Sequence, residues 1–315
     1  RVGLAVSDPS RTIASPAGPA IDRAFILPDG RPLVYSNSAG AQDIVNGTET
    51  VRRLNLDGSL DESFSPAVDG AIRALILQPD GRLLIAGEFT GVRGTGATAF
   101  TVRNRLARLN ADGTLDTSFN PSVAGPLLPA VYALALQADG SVVVGGTFAT
   151  VQANGATAVT RNNLARFTSN GALDAGYNPN PNGIVRALAV HVGGKIVVGG
   201  GFTSFQENGK PGATTRLRVA RLNVDGTLDS EFDPKADNGV TALAVQRDGK
   251  IVLGGFFTTL QPIGNDSPAN RSHLGRLNAD GTIDSEFFPN ASGTVNGIAV
   301  QPDGGLLIGG SFTSV

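Results

Sequence analysis

The sequence predicts an all-β protein, a six-bladed β-propeller with four antiparallel strands per blade. Two recurring stretches and their spacing lead to that fold. The first, Arg108-Leu109-Asn110-Ala111-Asp112-Gly113-Thr114-Leu115-Asp116-Thr117-Ser118-Phe119-Asn120-Pro121, returns at 53–66, 166–179, 221–234 and 276–289. The second, represented by residues 131–148, alternates with it. Its turn pairs are Asp29-Gly30, Asp80-Gly81, Asp139-Gly140, Gly193-Gly194, Asp248-Gly249 and Asp303-Gly304, separated by 51, 59, 54, 55 and 55 residues. Self-similarity at that period means blades or solenoid units rather than one irregular domain.

Taken in order, residues 1–20 alternate Val2, Leu4 and Val6 before a Ser-Asp-Pro-Ser turn and read as a degenerate hairpin. From Ile21 each repeat offers four strand candidates, A to D. Strand A is the apolar Val-x-Ala-Leu-Ala-Leu run, and the Asp-Gly after it is a dipeptide that tolerates positive φ at both central positions of a tight hairpin. Strand B is the Ile/Val-rich run at 83–86, 142–144, 196–198, 251–253 and 306–308. It ends in Gly-x-Phe, where a missing side chain lets neighbouring backbone come close. Strand C is Leu-Ala-Arg-Leu-Asn, a second Asp-Gly turns the chain, and strand D carries Leu-Asp-x-x-Phe. Six A–B pairs but five full C–D pairs are present. Residues 1–16 are therefore expected to supply the outer strands of the last blade, closing the ring without an open seam.

The length of 315 residues could hold two domains. The repeat favours a single domain over 1–315, since an all-β toroid can run this long. A net charge of −2 offers no basic field for nucleic acid or an anionic membrane. There is no cysteine, so disulfides and thiolate chemistry are excluded. Methionine is also absent, even at position 1, which suggests a piece of a longer chain. No apolar run approaches the roughly 20 residues that span a bilayer, so no membrane insertion is expected. The lack of both sulfur residues fits an extracellular or cell-surface setting.

The Arg-Leu-Asn-x-Asp-Gly-x-Leu-Asp-x-x-Phe and Gln-Pro-Asp-Gly-x-(Ile/Leu)-x-x-x-Gly-x-Phe-Thr patterns resemble the delta-60 repeat family over nearly the whole chain. Gly193 for the turn Asp and His191 for the Gln depart from them. The resemblance implies a β-propeller of large bacterial surface or secreted proteins. It carries over no established activity.

The rings Phe64, Phe119, Tyr177, Phe232 and Phe287, with Phe89, Phe148, Phe202, Phe257 and Phe312, recur at one place in each repeat, as packing between blades requires. The recurring Arg53, Arg108, Arg166, Arg221 and Arg276 flank the C–D turn with Asp61, Asp116, Asp174, Asp229 and Asp284, a spacing suited to cross-hairpin ion pairs. Repetition argues against catalysis, which needs one asymmetric constellation. The loop Asn110-x-Asp112-Gly113-x-x-Asp116 invites a calcium reading, but the spaced ligands and terminal Glu of a calcium loop are absent. No cofactor is expected. His191 stands where other repeats have Gln and reads as structural; His273, in a polar loop, reads as solvated. Gly94-Thr95-Gly96-Ala97-Thr98 lacks the Lys-Ser/Thr and helix of a phosphate loop and reads as surface.

Strand order places both Asp-Gly turns of each repeat on one face and the dissimilar B–C segments 36–50, 91–104, 150–162, 203–217 and 258–272 on the other, where loops can vary. On that same B–C loop face, expected to carry the binding surface, the start of strand A places Asp22, Arg73, Tyr132, Arg186, Thr241 and Asn296, which differ where their neighbours repeat. With Arg93, Arg103, Arg161 and Arg216 they form the candidate contact set for a polar or anionic ligand at the channel mouth. Two function classes stay open: a non-catalytic surface interaction or scaffolding module for a protein or glycan, and a propeller hydrolase or lyase.

Overall fold

A computed structural model describes residues 23–27, 29–35, 49–207, 210–264 and 267–315, within two compact bodies, Arg1–Ser122 and Val123–Val315. Apart from one 3-10 turn, Val192–Gly194, the described residues form strands and turns. Among them no helix is long and apolar enough to cross a membrane. The expected closing hairpin of residues 1–16 lies outside the described residues.

In the first body, strands A, B and C are Arg23–Ile26, Pro32–Tyr35 and Glu49–Arg53, then Ile72–Leu77, Leu83–Gly87 and Leu106–Leu109. In the second they are Ala130–Leu136, Val142–Thr147 and Leu164–Phe167; Val185–Val190, Ile196–Gly200 and Val219–Leu222; Val240–Val245, Ile251–Gly255 and Leu274–Leu277. A final A–B hairpin pairs Val295–Val300 with Leu306–Gly310. Every A–B–C set is an antiparallel meander with B in the middle. Strand B is apolar throughout because both its faces are covered: all five residues of Leu83–Gly87, Ile196–Gly200 and Ile251–Gly255 are buried. A continuous apolar run, rather than alternation, is the pattern of such a strand.

The A–B turns differ in detail from the expectation. Gln78 N–H donates to the Arg82 carbonyl and Gly81 N–H to the Gln78 carbonyl, so the loop is a three-residue turn with a bulge. Gly81 alone takes positive φ, 81°. Asp80 instead accepts the Arg82 N–H on its carboxylate at 3.0 Å, which is why Asp precedes Gly in these turns.

Strand D does not form where four strands were expected. Each C–D turn closes on one bridge, such as Leu109 with Leu115 or Leu222 with Leu228. The Asp side chain then folds the chain away: Asp116 Oδ1 accepts the Ser118 N–H at 2.9 Å and its hydroxyl at 2.6 Å. Farther on, short segments pair with the next repeat, Ala67–Val68 with Gly91–Arg93, Pro181 with Phe205 and Ala236 with Leu260.

Residues 36–48 of the first B–C segment lie outside the described residues; the other four segments are not free loops on the opposite face either. They form short hairpins, Gly91–Arg93 with Thr101–Val102, Thr150–Gln152 with Val159–Thr160, and Ser204–Phe205 with Thr214–Thr215. Their tips fold back to the C–D turn: Thr95 N–H donates to Gly113 O at 2.9 Å, Asn154 Nδ2 to Asn170 O at 2.7 Å, and Leu228 N–H to Glu207 Oε2 at 2.8 Å. The varied tips thus share an end with the Asp-Gly turns. The start of strand A lies at the other end.

The predicted ion pairs form in all five repeats, with Arg53–Asp61, Arg108–Asp116, Arg166–Asp174, Arg221–Asp229 and Arg276–Asp284 at 2.7, 2.8, 2.6, 2.8 and 2.7 Å. Each guanidinium also sits over the ring three residues past its Asp, 4.1–4.6 Å from the centroid, within cation–π range. Nη1 of Arg53, Arg166 and Arg221 reaches the following repeat and donates to Ala111, Val224 and Ala279 O, each beside the Asp-Gly of the next C–D turn. The rings of Phe64, Tyr177 and Phe232 seat on that turn's glycine: a Cβ on Gly113, Gly226 or Gly281 would lie 2.7–2.8 Å from ring carbon. The Ser63 hydroxyl and then Arg53 hold the Asp61 carboxyl down to about 2; Lys250 and then Arg276 do so for Asp284.

A second latch joins the A–B turns. Gln137 Nε2 donates to Gly194 O at 3.1 Å and Gln246 Nε2 to Gly304 O at 3.3 Å, and His191 puts Nε2 at 2.9 Å from Gly249 O. His191 is therefore structural, a donor replacing Gln. Burial holds its pKa below 6.5, partly opposed by the Gly249 carbonyl. His273 differs from its expected solvated state, for it is half-buried with Nδ1 at 3.1 Å from Gly255 O.

Two predictions follow from these latches. Gly226 and Gly58 have φ of 90° and 85°, but only Gly226 has a ring against it. Gly226→Ala should cost about 1–3 kcal/mol more than Gly58→Ala in urea denaturation, the size of an overpacking penalty; equal costs would show that the glycine serves φ alone. Because the folded pKa of His191 is below its unfolded value, its contribution is present above pH 6.5 and lost as pH falls below it. His191→Gln should flatten the stability profile between pH 7 and 5, and a retained slope would assign it to another group.

Candidate functional site

Near the start of strand A the register slips by one residue, between Ile72 and Ala74, Val131 and Ala133, Val185 and Ala187, Val240 and Ala242, and Val295 and Gly297. The extra residues of these β-bulges are Arg73, Tyr132, Arg186, Thr241 and Asn296, five of the six non-repeating positions; Asp22 lies outside the described residues. A bulge re-aims a side chain and breaks pairing locally. It also fixes the glycine at the end of strand B. A Cβ on Gly87, Gly146, Gly200, Gly255 or Gly310 would stand 1.9–2.2 Å from the carbonyl oxygen of Ala71, Ala130, Ile184, Gly239 or Thr294, a contact only glycine avoids.

Beside each glycine is a second varying position that the sequence reading passed over: Glu88, Thr147, Gly201, Phe256 and Ser311. Four of these donate backbone N–H to the carbonyl before the bulge, Glu88 to Ala71, Gly201 to Ile184, Phe256 to Gly239 and Ser311 to Thr294, at 2.7–2.8 Å. The signal was the x of Gly-x-Phe, masked by the more regular letters around it.

In the first body Arg73 is exposed and paired with Glu88 at 2.8 Å. In the second, Tyr132, Arg186, Thr241 and Asn296 stand on successive A strands. The Arg186 guanidinium carbon is 5.6 Å from the Tyr132 ring centroid, and the Thr241 hydroxyl donates to Val295 O at 2.8 Å. Phe256 is 48% exposed. The row of the second body thus offers a guanidinium, two rings, an amide and hydroxyls, with no carboxylate or imidazole among these residues. Such a surface can bind by stacking and hydrogen bonding, and lacks a general base of its own.

The structure corrects three other candidates. Arg103, Arg161 and Arg216 are only 5%, 7% and 8% exposed. Each spends its guanidinium on framework carbonyls: Arg103 on Val102, Arg161 on Thr160 and Ala175, and Arg216 on Thr215 and Asp229. Arg271 is the fourth of this set, bonded to Asn270 and Asp284 O. Burial lowers the pKa of Arg103, Arg161 and Arg271, opposed by Asp116, Asp174 and Asp284. Arg93 lies in a B–C hairpin at 5.4 Å from the Phe100 ring.

In the turn read for calcium, Asp112 Oδ1 accepts the Thr114 N–H and hydroxyl while Asp116 takes Arg108 and Ser118. Among the described residues no three His, Asp or Glu converge on a possible metal position.

Antiparallel meanders that recur along the chain, with latches between successive repeats inside each body, define a propeller-type repeat protein. The chain belongs to the family described as Domain of unknown function (DUF5122) beta-propeller, which matches residues 45–64, 78–119, 137–177, 194–232 and 246–287. No curated protein matches it. Among solved structures it is similar in fold to a streptogramin B lyase, at 13% identity over 94% of this chain and 92% of that one, TM-score 0.50. Weaker likenesses are to virginiamycin B lyase from Staphylococcus aureus (13% identity, 88% and 87% covered, TM-score 0.47) and a protein of unknown function from Bacteroides caccae (12% identity, 84% and 80% covered, TM-score 0.44).

The two kinds of arginine should behave oppositely. Arg161→Ala strips donors from two carbonyls and should cost about 1–3 kcal/mol, whereas Arg186→Ala should stay within about 0.5 kcal/mol of wild type. Chemical denaturation of both variants checks this; a destabilised Arg186→Ala would place that residue in the framework.

Proposed function

We propose that the chain is a non-catalytic interaction module of the cell surface or extracellular space. On this reading it binds a protein or glycan partner through the end that carries the strand A bulges, on the six-unit propeller that the repeat spacing predicts. The observation that carries the reading is that chemistry varies from repeat to repeat at the bulge and its neighbour, while adjacent positions repeat. The delta-60 resemblance supports the surface setting. Tyr132, Arg186 and Phe256 are the side-chain types that dominate binding hot spots or supply aromatic contact area.

A propeller hydrolase or lyase using the same end is the second reading, suggested by the fold shared with streptogramin B lyase. It needs an unpaired carboxylate or imidazole there. Among the described residues of the two varying positions, Glu88 is the one carboxylate, and Arg73 holds it.

A glycan array and a surface pull-down with the 315-residue chain, repeated with the Tyr132→Ala/Arg186→Ala double variant, test the proposal. Binding should weaken at least about tenfold, roughly 1.4 kcal/mol, with thermal unfolding unchanged. Undiminished binding of every captured partner would refute the placement, and turnover of a lactone or streptogramin substrate would favour the second reading.

A further inference from the structure

Within the second body the residues just before strand C change chemistry from repeat to repeat. Just before strand C and in the segment after the C–D turn, the fourth repeat has Leu217, Arg218 and Lys235; the third has Asn162, Asn163 and Asn180 at the corresponding positions. Arg218 spends Nη1 on Gly201 and Phe202 O at 2.8 and 3.1 Å. In the third repeat a cavity of about 310 Å³ opens instead, lined by Asn162, Asn163, Asn180, Asn182, Ser204 and Gln206 among others, with no charged and no aromatic side chain in its wall.

The amides are held from behind. Asn162 Nδ2 donates to Asn180 Oδ1 at 2.7 Å and Asn163 Nδ2 to Pro181 O at 3.0 Å. Asn182 Oδ1 accepts the Thr203 and Ser204 N–H groups at 2.8 and 3.0 Å, and its Nδ2 donates to Thr203 Oγ1 at 2.8 Å. These bonds leave Asn162 Oδ1, Asn163 Oδ1, Asn180 Nδ2 and the Gln206 amide with unused capacity among the described residues. The asparagine acceptors and donors fixed this way lose little freedom on binding.

We infer that this cleft binds a single neutral sugar ring, whose hydroxyls donate to the Asn162 and Asn163 oxygens and accept from the Asn180 and Gln206 amides. A hydroxyl both donates and accepts, as a mixed array of amide ends requires. An ion would leave water with no counter-charge to meet it. The volume is at the low end for small-molecule sites, which suits one ring. The site shares no residue with the bulge row and is independent of the reading above.

The test is a ligand-observed NMR titration of the 315-residue chain with the methyl glycosides of glucose, galactose, mannose and N-acetylglucosamine. Glucuronate, glucosamine and N-acetylglycine methylamide serve as charged and peptide-like comparators. At least one neutral glycoside should saturate, with every comparator at least about tenfold weaker. The double variant Asn162→Leu/Asn163→Arg imports the fourth repeat's residues and should weaken binding at least about tenfold; Gln206→Ala, which removes an exposed side chain, should weaken it severalfold. The Tyr132→Ala/Arg186→Ala variant should bind the glycoside as wild type does. No saturation by any of the glycosides, equal binding of a comparator, or unchanged binding in both cleft variants would overturn the inference.

Discussion

The structure depends on one side chain used three ways, the arginine of strand C. Its guanidinium meets the Asp across its own hairpin, covers the ring that follows that Asp, and in three repeats donates to a carbonyl in the next repeat's turn. A buried guanidinium is costly unless its hydrogens are satisfied. Here the partners that satisfy it belong to two different repeats, so the charge is fully met only when neighbours sit in one relative position. An apolar seam alone would let successive sheets slide, because hydrophobic contact is non-directional; the planar fork with fixed donor directions does not.

This constraint explains why the recurring motif is as long as it is. Arg, Asp and Phe belong to one repeat, and the Asp-Gly that receives them belongs to the next. Gly226 serves both the positive φ of its own turn and the seat for Tyr177 of the preceding repeat. The five ion pairs and the packed rings were legible in the sequence because each participant recurs at a fixed offset. The function of the turn glycine as a seat was not, since a glycine demanded by φ conceals any second demand.

What was illegible has physical causes as well. Leu-Asp-x-x-Phe alternates like a strand, but the Asp carboxylate captures the N–H two residues on and bends the chain after one bridge. The B–C segments read as loops because their strands are two or three residues long and, as at Thr101–Val102 and Val159–Thr160, exposed. Arg103, Arg161 and Arg216 lie in those polar segments and so looked solvated. Nothing in one chain distinguishes a long cation in water from one folded back on carbonyls, except that Arg recurs there at 103, 161, 216 and 271. Recurrence at that spacing was itself the sign of a framework part.

The bulge at strand A separates binding chemistry from that framework. A residue paired in a ladder must suit the side chains opposite and diagonal to it. The bulged residue has no partner of that kind, and across from the bulge stands a glycine whose absent Cβ makes room for the carbonyl that precedes it. Tyr132, Arg186, Thr241 and Asn296 can therefore differ in size and polarity while strands A and B keep one register on either side. The same device appears on each A strand of the second body, so its repeats supply a row of positions whose side chains the sheet does not dictate. A surface built this way takes its specificity from the row as a whole, since no single repeat contributes more than two of its residues.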